Sequence, residues 1–144
     1  DHAQIAASAG IADYLEAVAH IAGDAIAGEN AFRKAHDAMR AQEIGLLRPL
    51  MDFLKDHKKL RLIGPSDPDK RAPTVSLALG EQGITAAERL ARHGIMAAGG
   101  HFYAYRLVEA LGINPGVGVL RLSFTHYTSP EDITRLITAM DVEL

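Results

Sequence analysis

Apolar residues in the first part of the chain recur at intervals close to the period of an α-helix. Between residues 4 and 22, frequent alanines are joined by larger apolar residues at Ile5, Ile11, Leu15, Val18 and Ile21. This spacing predicts a helix, because residues spaced in this way line one side of it. The glycine-bounded stretch 23–28 is expected to end the helix.

A second amphipathic helix is predicted to begin near Glu29. Its buried side is expected to consist of Phe32, Ala35, Met39, Leu46, Leu50 and Leu54. Pro49 lies within this pattern and has no amide N–H to donate to the preceding turn of a helix. We therefore expect a kink or a break at Pro49.

Strand and helix patterns alternate in the second half of the chain. Strands are predicted over 59–63, 73–79, 95–98 and 117–125. A short helix is expected to start at Thr85, with Glu88 completing a capping box and Gly94 ending the helix. The Gly99-Gly100 pair is expected to turn the chain into a further helix over 101–111.

The last helix carries clear start signals. Ser129 is a typical N-cap residue, Pro130 suits the first turn, and the acids Glu131 and Asp132 suit the positive end of the helix dipole. The order of elements is α/β, and the expected product is an α+β fold: two long N-terminal helices, then a small sheet with helices packed on one face. Strand order and strand direction stay open.

The composition is that of a single globular domain, predicted to span residues 1–144. Hydrophobic residues make up 48% and charged residues 23%, and the net charge is -3 at pH 7. This balance favours neither nucleic acid nor an anionic membrane as a partner. The sequence has no cysteine, which excludes thiolate nucleophiles and sulfur-ligated zinc within this chain. A cytoplasmic location is the expectation. Because the chain begins at Asp1 within a predicted helix, we expect it to be part of a longer protein.

Arg121 is the most informative candidate for chemistry. It lies in the middle of the 117–125 strand, where Leu120, Leu122 and Phe124 share one face and Val119, Arg121 and Ser123 share the other. A guanidinium there is costly unless an anion meets it, and its planar fork suits a carboxylate. The alternatives are an internal salt bridge with Asp or Glu and a solvated position on an edge strand.

The Gly99-Gly100-His101 segment is a second, weaker candidate. Two glycines permit a close backbone approach, and the amides that open a following helix can hold an anion. His101, Tyr103 and Tyr105 would lie near this turn, whose alternative interpretation is a purely structural strand-to-helix connection. The other histidines have no metal-ligand spacing, so no metal site is predicted.

The last third of the chain resembles a known family. The segment Leu120-Arg121-Leu122-Ser123, followed by His126-Tyr127-Thr128-Ser129-Pro130-Glu131-Asp132-Ile133 and Leu136, is similar to the C-terminal signature of class V aminotransferases and cysteine desulfurases. Upstream, Arg71-Ala72-Pro73-Thr74-Val75-Ser76 and Gly99-Gly100-His101-Phe102-Tyr103-Ala104 also resemble segments of these enzymes. The resemblance extends over nearly the whole chain.

The resemblance implies the C-terminal small domain of a fold-type I enzyme that depends on pyridoxal 5'-phosphate. Arg121 would bind the α-carboxylate of an amino-acid substrate, and His101 and Tyr103 would lie at the entrance of the site. No catalytic or cofactor-binding residue is expected in this chain. The Schiff-base lysine and the cofactor cradle would belong to a preceding large domain, since none of Lys34, Lys55, Lys58, Lys59 and Lys70 has the required context. A homodimer is implied, and the separate chain would be inactive.

Two departures from the family pattern qualify these expectations. Tyr103 stands where cysteine desulfurases carry their persulfide-forming cysteine, which favours a transaminase, lyase or epimerase-type reaction. Thr128 replaces the usual asparagine of the cap, and threonine can still cap locally. The alternative from a different class is a non-enzymatic α+β module that dimerises or binds a small ligand.

Overall fold

The computed structural model describes residues 2–23 and 28–144. The described chain forms two compact units that divide between Gln42 and Glu43. The elements in chain order are α1 His2–Ala7, α2 Ala9–Ile21, α3 Glu29–Asp56, β1 Arg61–Ile63, β2 Thr74–Ala78, α4 Gly83–Ala91, β3 Ala98–Gly100, α5 Tyr105–Ala110, β4 Val119–Ser123 and α6 Pro130–Glu143, with a short 3-10 turn at Pro68–Lys70. The α+β prediction is confirmed.

The first unit contains α1, α2 and the beginning of α3. The predicted first helix is present but divided at Ser8, whose hydroxyl donates to the carbonyl of Ile5 (2.6 Å). A small apolar cluster forms around the fully buried alanines Ala19, Ala31 and Ala35. The helix ends at Ile21, as expected from the 23–28 stretch, of which residues 24–27 lie outside the described residues.

The long helix α3 runs through Pro49 without interruption, so the predicted break there is wrong. Proline removes one hydrogen bond to the carbonyl four residues earlier, which belongs to Gly45. Both Gly45 and Pro49 are exposed. Water can therefore satisfy that carbonyl, and the helix continues at modest cost.

The second unit is built on a four-stranded antiparallel sheet with the order β1-β2-β4-β3. One face of this sheet is covered by α4, α6 and the later turns of α3. The main core lies between these layers; its largest fully buried side chains are Leu47, Leu50, Met51, Val75, Leu77, Leu90, Leu120 and Met140. Three helices thus pack on one face of a small sheet, as predicted, whereas Val108 of α5 packs with Val119 on the other face.

The prediction for residues 95–111 is wrong in its boundaries. The strand is β3, which begins three residues later than predicted, so Gly99 and Gly100 pair with β4 and do not form a turn. The following helix α5 begins only at Tyr105. Phe102 and Tyr103 have φ angles of 50° and 60°, which are incompatible with a helix through this segment.

The helix α4 begins two residues before the predicted start, and the capping box of Thr85 and Glu88 is absent. Its N-cap is Gln82, whose side chain makes no capping hydrogen bond. Instead, the Gly83 amide donates to the carbonyl of Val117 (3.1 Å). A Cβ at Gly83 would overlap the backbone of Val119, so close packing against β4 determines where this helix starts.

The predicted start of α6 is confirmed. The Ser129 side chain accepts the Asp132 amide (3.1 Å), and the Asp132 carboxylate accepts the Ser129 amide (3.1 Å). These hydrogen bonds with Ser129, together with the nearby Arg135, lower the pKa of Asp132 below its ordinary value. The capping box therefore fixes where the chain leaves the loop after β4.

Arg71 anchors the loop that joins β1 to β2. Its guanidinium donates to the carbonyls of Ile63 (3.3 Å), Pro65 (2.5 Å) and Thr74 (3.1 Å). Burial lowers the pKa of this group from its ordinary value. Arg71 thus holds the loop against the sheet and is a structural residue.

No helix between residues 2 and 23 or between 28 and 144 combines the length and the apolar character needed to cross a membrane.

Candidate functional site

Arg121 lies on the face of the sheet opposite the main core. Its strand β4 runs between β2 and β3, and Arg121 is the cross-strand partner of Ser76 on one side and of Ala98 on the other. The alternative of a solvated edge position is therefore wrong. Directly paired residues point to the same side of a sheet, so the arginine has two small neighbours.

The side chain of Arg121 meets an aromatic ring. Its guanidinium carbon lies over the ring of Phe102, 3.9 Å from the ring centroid. Arg121 is only half-buried, and among residues 2–23 and 28–144 its side chain forms no ion pair or hydrogen bond. The internal salt bridge considered as an alternative is thus not found in this part of the chain.

Hydroxyl groups adjoin the arginine on this face. Ser76 lies directly opposite it, and Ser123 follows two residues later on the same strand, opposite Thr74. The Thr74 and Ser123 hydroxyl oxygens are 3.3 Å apart. One positive charge bordered by hydroxyl donors is an arrangement that suits an anionic ligand.

The segment between β3 and α5 has an unusual backbone. Phe102 and Tyr103 are successive non-glycine residues in the left-handed region, each at a cost of about 1–2 kcal/mol. Such conformations persist only where the surrounding structure enforces them. Here the enforcing contacts are the pairing of Gly100 with Val119 and the packing of Phe102 against the buried cluster of Val108, Ile113 and Val119.

His101 is half-buried within the same segment. Its ring contacts Tyr105 edge to face, with centroids 5.8 Å apart. Its Nδ1 atom is buried, and within the described chain it has no hydrogen-bond partner. An unsatisfied buried nitrogen is costly, so the ring of His101 has a hydrogen-bonding capacity that the described residues leave unmet.

Tyr103 is placed differently from the other two predicted site residues. Its relative exposure is 102%, so its side chain stands clear of the fold. The structure therefore brings Arg121 together with Phe102, whereas Tyr103 does not contact the arginine in this chain.

Gly99 and Gly100 serve packing and strand pairing. A Cβ at Gly99 would overlap the backbone of Gly83 and Ile84 at the start of α4. The predicted helix-start amides next to these glycines do not exist, because α5 begins five residues after Gly100. The interpretation of this pair as an anion-binding turn is wrong.

The loop after β4 is closed by a local cap. Thr128 Oγ1 accepts the amide of Thr125 (3.2 Å), and the Thr128 amide donates to the carbonyl of Thr125 (3.0 Å). Threonine in place of the family's asparagine thus still caps this turn, and Ser129 follows it directly as the N-cap of α6.

The contact between Phe102 and Arg121 was not predicted from the sequence. The signal available was an aromatic residue directly after His101, within a motif already singled out. Its ring could not be assigned to Arg121, because that contact depends on a left-handed backbone that phenylalanine rarely adopts and on strand pairings that the sequence left open.

All five lysines, Lys34, Lys55, Lys58, Lys59 and Lys70, are exposed. A Schiff-base lysine needs a desolvated environment to lower its pKa, which none of these positions provides within the described residues. Within the described ranges, moreover, His, Asp and Glu side chains do not gather in groups of three that could hold a metal ion. The surroundings of Arg121 suit an anionic ligand.

Known proteins share sequence features with this chain. The sequence model of the aminotransferase class-V family matches residues 16–136. The chain is 32% identical over 124 residues to the aminotransferase-like protein FGM3 of Gibberella zeae, a match covering 81% of this chain and 30% of that protein.

Solved structures give the same result. The chain is similar to the cysteine desulfurase of Thermococcus onnurineus, with 29% identity, a TM-score of 0.68, and coverage of 78% of this chain and 28% of that one. The fold is also similar to that of the Escherichia coli cysteine desulfurase CsdA, with 22% identity, a TM-score of 0.61, and coverage of 76% and 26%. The chain thus spans about 30% of the length of its curated relative. By sequence and by fold, it belongs to the aminotransferase class-V family.

Proposed function

We propose that this chain is the C-terminal small domain of a larger pyridoxal-phosphate enzyme that acts on an amino acid, and that Arg121 binds the substrate carboxylate. The family match covers residues 16–136, while the matched relative and structures are about three times longer than the shared region. Both observations fit a domain that works together with a large cofactor-bearing domain.

One observation carries the proposal: the guanidinium of Arg121 lies on the sheet face opposite the main core, on an internal strand, with its carbon over the ring of Phe102. Stacking engages the face of the guanidinium, whereas its N–H groups lie in its plane. Those donors match the two oxygens of a carboxylate. The nearby hydroxyls of Ser76 and Ser123 lie on the same face.

Pyridoxal phosphate would supply an electron sink for the reacting carbon of the substrate. In our proposal its lysine and its phosphate cradle belong to the large domain, and the chain described here is catalytically inactive alone. Its own part is to fix the substrate by the carboxylate. His101, with its unpartnered buried Nδ1 atom, and Tyr103 are proposed to lie at the entrance of the completed site.

Among the reactions of the family, we favour transamination, lyase or epimerase chemistry. A desulfurase needs a thiolate to accept sulfur, and the corresponding position of this chain holds Tyr103 in a sequence without cysteine. We further propose that the parent enzyme is a cytoplasmic homodimer, in which this chain contacts its own large domain and an amino-acid substrate.

The test uses the full-length enzyme with Arg121→Ala and Arg121→Lys. Loss of the charged pair should weaken substrate binding by about 2 kcal/mol, or roughly 30-fold, and lysine should restore only part of it because it lacks the planar fork. Substrate affinity is measured by the change in cofactor absorbance on titration.

Arg92→Ala is the matched control, because Arg92 is exposed at the end of α4 on the helical layer. It should bind substrate like the parent. Equal affinities of the parent and Arg121→Ala would remove Arg121 from the site. Ligand binding by a protein without any cofactor would favour the non-enzymatic module.

A further inference from the structure

Arg121 has an aromatic residue where an arginine inside a sheet ordinarily has an acid. We propose that Phe102 is a positioning residue for Arg121: its ring holds the guanidinium in place while leaving the in-plane N–H donors open for one carboxylate. This inference rests on the proposed function of Arg121 and goes beyond it, since it names the group that prepares the arginine to bind.

Arg89 shows the more usual arrangement, in which acceptor oxygens of the fold occupy the donors of an arginine. The Arg89 guanidinium donates to both carboxylate oxygens of Glu81 and to the backbone carbonyl of Glu143. Its donors are consumed by the fold, so Arg89 has little left for a ligand. A ring engages the cation through its π-electrons and occupies none of the strong N–H acceptor positions.

The ring itself is held firmly. Phe102 packs against the buried side chains of Val108, Ile113 and Val119. Its left-handed backbone directs the ring from the end of β3 onto the neighbouring strand, where Arg121 follows Val119 by two residues. The ring is thus fixed on one side by apolar packing and presents its face to the guanidinium on the other.

The neighbours of Arg121 leave the remaining approach open. Ser76 and Ala98, its partners on the flanking strands, are too short to cover a guanidinium. A carboxylate can therefore approach the N–H donors that the ring leaves uncovered. A preorganised arginine loses less side-chain entropy on binding than a free one, which is the advantage that the ring provides.

The test compares Phe102→Leu and Phe102→Tyr in the 144-residue chain, with Phe53→Leu as the matched control. Phe53 is half-buried on α3 and contacts His57, so its substitution removes a ring elsewhere. A further variant carries pentafluorophenylalanine at position 102, which keeps the shape of the ring and reverses the sign of its quadrupole. The measurements are the NMR order parameter of the Arg121 Nε–Hε group and the affinity for acetate.

We expect Phe102→Tyr and Phe53→Leu to keep the parent values. Phe102→Leu and the fluorinated variant should lower the order parameter of Arg121 and weaken acetate binding by about threefold to tenfold. The fluorinated variant separates the effect of the ring's electrons from that of packing, because it fills the same space.

The outcomes separate this inference from the proposed function. If Arg121→Met abolishes acetate binding while Phe102→Leu and the fluorinated variant bind as the parent does, the positioning role is wrong and the carboxylate site stands. If Arg121→Met binds acetate as the parent does, the carboxylate site itself is wrong. A drop in order parameter without any loss of affinity also overturns the positioning role.

Discussion

The two faces of the sheet are made by the same strands and differ in almost every other respect. Toward the helices, alternate residues are apolar and packed against the main core: Leu62, Val75, Leu77, Leu120 and Leu122. On the other face, the intervening positions include Thr74, Ser76, Arg121 and Ser123, and Val119 packs there with Val108 of α5. The strand period of two thus places the main core on one side of β4 and Arg121 and Ser123 on the other.

The two faces therefore serve different purposes: one stabilises the fold, and the other carries the proposed binding residue. On the covered face, each apolar side chain stabilises the fold because it is removed from water, and close packing fixes its neighbours. On the other face, Arg121 keeps its donors and lies over the Phe102 ring. The arginine on the helical layer, Arg89, is tied to Glu81 and Glu143. Substitutions on the covered face should therefore change the free energy of unfolding, and substitutions at Arg121 should change ligand binding.

The largest expected effect comes from the covered face. Leu120→Ala removes a fully buried side chain and should lower the free energy of unfolding by about 2–5 kcal/mol, through lost burial and the cavity left behind. Urea denaturation measures this change. Ser123→Ala, three residues later on the other face, is the control and should stay within about 0.5 kcal/mol of the parent. Equal losses in the two variants would contradict the division between faces.

Substitution of the two arginines, Arg89 and Arg121, should have different effects on stability, and the larger of these is the second largest effect we expect. Arg89→Met leaves Glu81 and the partly buried Glu143 carboxylate without their cation and should lower the free energy of unfolding by about 2 kcal/mol. Arg121→Met leaves no ion-pair partner behind among the described residues, so stability should change by no more than about 0.5 kcal/mol. Urea denaturation of both variants tests the contrast; a larger loss in Arg121→Met would show that Arg121 is structural.

The helical layer and the best strands could be predicted from the sequence because their signals are local. The 117–125 pattern predicted the alternation that puts Leu120 and Arg121 on opposite faces, and the residues at Ser129 and Pro130 predicted the start of α6. Each depends on side-chain period or capping chemistry that a few neighbouring residues determine.

The errors fall where a distant contact decides the local structure. Pairing with β4 makes Gly99 and Gly100 a strand, and packing of Gly83 against the backbone of Val119 sets the start of α4. The contact of Phe102 with Arg121 needs both the sheet order and a left-handed backbone. The pattern of its own strand identifies Arg121 as a candidate. It does not identify Phe102, whose ring reaches Arg121 from another element.

The smallest expected effect is the response of the helical layer to acid. Hydrogen bonds from Arg89 lower the pKa of Glu81 below its ordinary value of 4.5. The folded chain therefore binds fewer protons than the unfolded chain as the pH falls through this range, and the stability that Glu81 contributes is present above about pH 4.5 and is lost below it. Glu81→Gln should flatten the fall in unfolding free energy between roughly pH 5 and pH 3, measured by urea denaturation at each pH. Glu88→Gln, which removes an exposed carboxylate next to Arg89 on the same helix, controls for the loss of one charge. If both variants flatten the profile equally, the ion pair of Glu81 with Arg89 is not the cause of the pH dependence. That ion pair would then contribute little to the stability of the helical layer.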